Sequence, residues 1–324
     1  MWAMVTGAPR AASAYVAARN LLIDGTTADI SGRFDEAGIE CILVKGPVIT
    51  EWLYRDDVRL YGDSDLLVRE SDWAPAVEIL GALGFRAAPG TLAHPRMTDT
   101  AATSYFRGLA YVDLHRTVDG LDAPPPVVWE ALRAGAGHQV VGGREVLVPG
   151  RPARLMHLAL HAAHHGGEAK SGEDLRRGVL AEDEDAWREA AALAARLGGS
   201  AAFGSGLRTV PESAGLARRL GVADAGSVLF DLRAAGVPTA EGLHELLNPG
   251  HTAAERWTMI RAELFPQPSF MRWWTPLARR GGAGLLASYP MRWGWLVLRV
   301  PGGLLTLRRV RRRRADGRPA PRDV

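Results

Sequence analysis

The segment Leu60-Tyr61-Gly62-Asp63-Ser64-Asp65-Leu66-Leu67-Val68 decides how this chain reads. Asp63 and Asp65 stand at i and i+2, and Leu66 to Val68 form a short apolar run of strand character. Along a strand, side chains at i and i+2 point to one face, about 6–7 Å apart. Two acids so placed can share a hard cation. Magnesium favours one or two carboxylates together with phosphate oxygens and water, so the pair suits a nucleotide's phosphates. The same pair also fits a turn at a strand start, where aspartate is common for capping reasons. The flanking residues favour the first reading.

Upstream, Glu40-Cys41-Ile42-Leu43-Val44-Lys45-Gly46-Pro47 reads as a buried strand, Cys41 to Val44, ending in a Lys-Gly turn. Pro47 suits the first position of a helix, predicted over Val48 to Tyr54. Of the 39 lysines and arginines, only Lys45 and Lys170 are lysine. In a chain so biased toward arginine, a lysine at the exit of a core strand points to a need for a compact ammonium, as in phosphate recognition. Chance placement is the alternative. A lysine kept for phosphate alone would be dispensable for folding. The polar turn Arg55-Asp56-Asp57 follows, then Arg59, which would bind phosphate or pair with Asp56 or Asp57.

Downstream, Ala110-Tyr111-Val112-Asp113-Leu114-His115-Arg116 alternates with period two, and its polar face holds an acid and an imidazole. If this strand neighbours the Asp63/Asp65 strand, Asp113 completes a three-carboxylate cluster. Such a cluster can hold two metals and deprotonate an attacking hydroxyl.

The order Leu43-Val44-Lys45-Gly46, a helix, Tyr, Arg, Gly62-Asp63-x-Asp65-Leu66-Leu67-Val68, a helix ending Leu83-Gly84-Phe85, and then Val112-Asp113-Leu114-His115 resembles a known pattern. It is similar to the uncharacterised nucleotidyltransferase family of the DNA polymerase β-type superfamily. The resemblance covers Ile39 to Val118 well and continues more loosely through Leu155 to His165 and Glu173 to Arg177. It implies an α/β (α+β) fold: a small mixed-sheet nucleotidyltransferase domain followed by a helical domain. It further implies that Asp63 and Asp65 bind metal, with Asp113 as the third catalytic and metal-binding carboxylate. Lys45 and Gly46 fall where the superfamily has a Gly-Ser turn that contacts phosphate. With Arg59 they form the expected nucleotide-binding set. The implied cofactor is Mg2+ or Mn2+, and a nucleoside triphosphate such as ATP is the substrate. Two departures stand out. Ser64 occupies the middle of the acid pair, where an apolar residue is usual. The Lys45-Gly46-Pro47 turn has no serine after its glycine and lies far from the acids.

At 324 residues the chain accommodates two ordinary domains. Hydrophobic residues at 47% and charged residues at 23% are ordinary for a folded, water-soluble chain. A single cysteine excludes internal disulfides and cysteine-rich zinc sites. The opening Met1 to Arg10 lacks a charged start followed by a long apolar core, and no apolar run reaches the 18 or so residues of a bilayer span. The expected location is cytoplasmic. Charge is uneven: from His251 onward 15 arginines face four acids, net +11, so the first 250 residues sum to −8 against the total of +3. The basic pI belongs to the tail, and nucleic acid is not an expected partner of the acidic part.

The chain divides into a nucleotidyltransferase-like part, 1–150, a helical part, 151–270, and a basic Trp/Arg-rich segment, 271–324. A helix is expected over Ala11 to Ala37 with a break near Asp24-Gly25, and another from a Ser71-Asp72 cap to Leu83. A short strand is expected at Phe85 to Ala88, a loop over Pro89 to Thr100, and a hairpin over Val140 to Val148 around Gly142-Gly143. His157, His161 and His164 share a helical face beside His165, a spacing that would suit zinc. The intervening glutamate of a zinc protease is missing, which favours a packed polar seam. Trp273-Trp274, Met291 to Val300 and Leu304 to Arg314 mix tryptophan, aliphatic residues and arginine, as interfacial membrane helices do. A C-terminal helix docked on the second domain is the other reading.

Three function classes follow. One is an enzyme that moves a nucleoside monophosphate from a triphosphate to a hydroxyl of a small molecule or protein. Another is a non-catalytic nucleotide- or metal-binding accessory protein of a biosynthetic pathway. The last is an accessory recruited to the inner face of the membrane by contact between its tail and anionic lipid.

Overall fold

The computed structural model describes residues 9–55, 57–88, 101–166, 168–222 and 227–315, with the side chains of 9–13 left aside. The elements of the first part are α1 (Pro9–Glu36), β1 (Cys41–Leu43), α2 (Pro47–Leu53), β2 (Ser64–Val68), α3 (Trp73–Ala82), β3 (Arg86–Ala87), β4 (Ala102–Arg107), β5 (Ala110–His115), α4 (Pro125–Ala134), β6 (Gly137–Val141) and β7 (Arg144–Val148). Helices alone follow: α5 (Arg151–His164), α6 (Ala169–Ala181), α7 (Glu184–Arg196), α8 (Ser200–Leu207), α9 (Ala214–Arg219), α10 (Val228–Ala234), α11 (Pro238–Leu246), α12 (Ala253–Leu264), α13 (Pro268–Trp274) and α14 (Gly281–Ala315).

The strands form one seven-stranded mixed sheet in the order β3-β4-β5-β2-β1-β7-β6. Strand β2 sits at its centre, antiparallel to β1 and parallel to β5. That position suits its sequence, since all five residues are buried and Leu66, Leu67 and Val68 have no exposed surface. On the other side β1 pairs in parallel with β7, which closes a hairpin with β6. Gly142 and Gly143 both take positive φ, 56° and 81°, in the two-residue turn of that hairpin. Residues without a Cβ are favoured there.

Helix α1 packs along the sheet through Ile23, Thr27, Ile30 and Phe34, a stripe at helical spacing whose members are fully buried. The expected break at Asp24-Gly25 is absent. A side chain at Gly25 would meet open space, and burial on the stripe outweighs the ~1 kcal/mol cost of a mid-helix glycine. Before α3, Glu70–Asp72 form a 3-10 turn, and Asp72 makes no side-chain cap bond. The expected loop Pro89 to Thr100 lies outside the described residues.

The chain separates into two compact units, the first being Met1–Arg86, Ser104–Thr117 and Pro124–Arg154 in their described residues. The second comprises Ala87–Thr103, Val118–Ala123 and Leu155 onward, likewise in its described residues. Its helical core is built on Leu155, Leu158, Leu175, Trp187 and Phe203, each at most 1% exposed. Helix α8 crosses α5 so closely that a Cβ at Gly206 would fall 1.8 Å from the Ala159 carbonyl oxygen. Further along, Leu307 of α14 completes a small core with Leu232 and Ala240. Helix α14 is therefore docked within the second unit, and removing it would uncover that core.

Candidate active site

Strand β2 places Ser64 on one face of the sheet and Asp65 on the other. Ser64 is fully buried and accepts a hydrogen bond from Thr27 Oγ1 of α1 at 2.8 Å. The Ser64 hydroxyl is thus a tie between the central strand and the long helix. The loop ahead of β2 is held by the same helix. Asn20 Nδ2 donates to the Arg59 carbonyl at 2.9 Å, Arg19 Nη2 to the Gly62 carbonyl at 3.0 Å, and Tyr61 Oη to Asp24 at 2.7 Å. Together these contacts fix where Asp63 and Asp65 begin.

In the parallel register, Asp65 stands directly beside Asp113 of β5, and Leu67 beside His115. Ligand atoms of Asp65, Asp113 and His115 all lie within 4.8 Å of one another. Asp65 is 2% exposed and receives two donors on one oxygen, Lys45 Nζ at 2.6 Å and His115 Nε2 at 3.1 Å. Burial alone would raise the Asp65 pKa, but the Lys45 ammonium and the His115 bond override it and hold the carboxyl well below the usual carboxylate range. Burial likewise pulls Lys45 down, and the carboxylates of Asp65, Asp63 and Asp113 more than offset it, so its pKa lies above the ordinary value. Lys45, 16% exposed, is thus the counter-charge of a three-acid neighbourhood. It has structural work to do as well.

Among the described residues, the Asp113 carboxylate accepts no hydrogen bond and forms no ion pair. A half-buried carboxylate without a donor beside a second carboxylate is a set of hard oxygen ligands, which fits Mg2+ or Mn2+. Asp65 is ionised and can only accept, so His115 Nε2 carries the proton of their bond and orients Asp65. His115 is a site residue to which the sequence reading gave no role. The signal was its i+2 spacing from Asp113, which sets both on one face.

The turn after β1 is shaped by Gly46, whose φ of 61° and ψ of −114° suit glycine, with Pro47 opening α2. The Gly46 carbonyl accepts from Thr50 N at 3.1 Å and from Arg59 Nη1 at 3.5 Å. Arg59 is 5% exposed, and its guanidinium lies 5.9 Å from the Tyr54 ring centre. It buttresses the Lys45-Gly46 turn, while Asp56, one of its expected partners, lies outside the described residues.

The histidines of α5 and the adjoining His165 form a chain of rings in the second unit, with centres 6.0 Å apart for His157–His161, 4.3 Å for His161–His165 and 5.1 Å for His164–His165. His164 Nδ1 lies 3.7 Å from Asp119, and His165 Nδ1 3.4 Å from Glu168. Among the described residues, the group able to converge on a metal is Asp65, Asp113 and His115, and the α5 histidines form no such group.

The family model described as uncharacterised nucleotidyltransferase matches residues 7–215. No curated protein matches the chain. Among solved structures, the chain is similar to the solution structure of the antibiotic-resistance factor ANT(2'')-Ia, at 18% identity. That likeness covers 56% of this chain and 92% of the other, with a TM-score of 0.39.

Proposed function

The chain belongs to the uncharacterised nucleotidyltransferase family, and from that premise we propose that it moves a nucleoside monophosphate from a nucleoside triphosphate to a hydroxyl of a small-molecule or protein acceptor. The observation that supports this most is the register pairing of Asp65 with Asp113, which brings two carboxylates and the Lys45 ammonium to one point of the sheet. Asp63, Asp65 and Asp113 would hold Mg2+ or Mn2+, which when bound neutralises phosphate charge and lowers the pKa of a coordinated hydroxyl. Asp113, whose carboxylate has no donor among the described residues, accepts the acceptor's proton as its oxygen attacks the α-phosphorus. A new O–P bond forms, the bond to the bridging oxygen breaks, and pyrophosphate leaves. Lys45 exchanges its bond to Asp65 for triphosphate oxygens. Gly46 presents backbone to the phosphates, and Arg59 holds that turn and adds positive charge to the nucleotide site. Cytoplasmic residence supplies the triphosphate.

One observation favours a second reading. The 2.6 Å contact between Lys45 and Asp65 already neutralises a metal ligand, which would suit a nucleotide-binding accessory protein that transfers nothing. Incubation with each α-labelled triphosphate, Mg2+ or Mn2+ and a cell extract separates the two. Label transferred to an acceptor and lost with Asp113→Asn supports the enzyme. Nucleotide bound stoichiometrically without transfer under every condition supports the accessory protein.

A further inference from the structure

Helix α14 has two unlike faces. Gly284, Ser288, Arg292, Gly303 and Leu307 are buried, on the side that packs against α10, α11 and α13. Arg292 is caged there: its guanidinium donates to the Glu263 carbonyl at 3.0 Å and lies 5.0 to 5.8 Å from the ring centres of Phe270, Trp274 and Trp295. The opposite side presents Leu286 (71% exposed), Val297 (71%), Leu298 (82%) and Leu305 (61%), with Trp293 beside them. The Trp293 indole N–H is tied to the Leu264 carbonyl at 2.7 Å, which leaves the ring partly in solvent.

At 1.5 Å per residue this apolar stripe runs about 28 Å along the helix. Single exposed leucines need no explanation, whereas a continuous stripe of this length does. It ends at a block of exposed basic residues, Arg308, Arg309, Arg311 and Arg312. Between Glu263 and Asp316 the sequence holds no acid at all. No helix of the described residues is long and apolar enough to cross a membrane.

We propose that the exposed face of α14 lies on an anionic lipid bilayer, the Leu286-to-Leu305 stripe entering the boundary between headgroups and acyl chains and the arginines resting on lipid phosphates. The charge pattern selects this occupant. A second copy docked on the same face, parallel or antiparallel, would set each arginine block against a stretch of α14 that offers no acid. Nucleic acid would engage the arginines and leave the leucines in water. The inference rests on α14 alone and is independent of the transferase reading.

The test is co-sedimentation of the full-length protein with vesicles of phosphatidylcholine, with and without phosphatidylglycerol. One variant combines Val297→Glu with Leu298→Glu, and another combines Arg308→Gln, Arg309→Gln and Arg312→Gln. All five side chains are exposed, and circular dichroism verifies that each variant is folded. Binding is expected to phosphatidylglycerol vesicles, weakened by salt. It should fall at least about tenfold in the glutamate variant and about a hundredfold in the glutamine variant, at about fivefold per arginine. Equal binding to both vesicle types, or none at low salt, overturns the proposal. So does a dimer that the glutamate variant dissociates while vesicles go unbound. Binding to duplex DNA or RNA that is tighter than to vesicles and indifferent to Val297 and Leu298 also overturns it.

Discussion

Two cations within the fold, Lys45 in the sheet unit and Arg292 in the helical unit, are held by different means. Lys45 rests on Asp65 in a nest of carboxylates, a compact ammonium on a flexible stem facing other polar groups. Arg292 is pinned between aromatic faces, with Glu263 at 2.5 Å on its outer side. The first arrangement is exchangeable, because an incoming cation or phosphate can replace either partner of the pair. The second is not, because a planar guanidinium stacked on rings has no polar substitute of the same shape. Lys45 is answered by carboxylates alone, whereas Arg292 has a carboxylate partner and aromatic walls besides.

The largest effects should separate the two acids that flank Lys45. Asp65→Asn strands a buried ammonium and a donating histidine, and is expected to cost about 3–5 kcal/mol of stability in denaturant unfolding. Asp113→Asn removes a carboxylate that no donor among the described residues satisfies. Stability should stay within about 0.5 kcal/mol of the parent, while transfer falls about 10²- to 10⁴-fold. Equal destabilisation by both substitutions would mean that Asp113 is structural.

Lys45→Ala and Arg292→Met then contrast the two cations directly. Lys45→Ala leaves Asp65 buried with only His115 to answer it, a loss of about 2–4 kcal/mol. Mg2+ should recover much of that loss by binding the folded state, so the Tm of the variant should rise with Mg2+ by more than the parent's. Arg292→Met should cost about 2 kcal/mol in lost ring contacts and packing, with no Mg2+ recovery and unchanged nucleotide affinity. An identical Mg2+ response in the two variants would erase the distinction.

Much of this was legible in the chain. The apolar run Leu66 to Val68 located β2, the alternation of Tyr111, Asp113 and His115 located β5, and Gly-Gly located the β6–β7 hairpin, while Asp63, expected on the strand beside Asp65, lies just ahead of β2. Adjacency was not legible, because β2 and β5 are separated by α3, β3 and β4 in sequence and meet only through sheet order. The Lys45–Asp65 bond was hidden for the same reason: the lysine expected to contact phosphate pairs with Asp65 within the fold. Gly25 misled because local propensity says nothing of the packed stripe on either side of it. In α14 the mixture of tryptophan, leucine and arginine could not be divided into faces until its partners α10, α11 and α13 were known.

The smallest effect belongs to Ser64. Its hydroxyl lies on the far face of β2 from Asp65, fully buried, where it accepts from Thr27 Oγ1. Thr27 Oγ1 also lies 2.9 Å from the Ile23 carbonyl, so its proton has a second acceptor when Ser64 is removed. Ser64→Ala therefore deletes one hydrogen bond without stranding a buried donor, and should cost about 1 kcal/mol. Ser64→Val places an apolar residue at this position. It gains buried methyl groups on the α1 face, but they must fit against Thr27 in a core already packed. If the hydroxyl serves only to join helix to strand, both variants should keep metal affinity and transfer rate within about twofold of the parent. A large loss of Mg2+ binding in Ser64→Ala, with unfolding free energy unchanged, would instead make the serine part of the site.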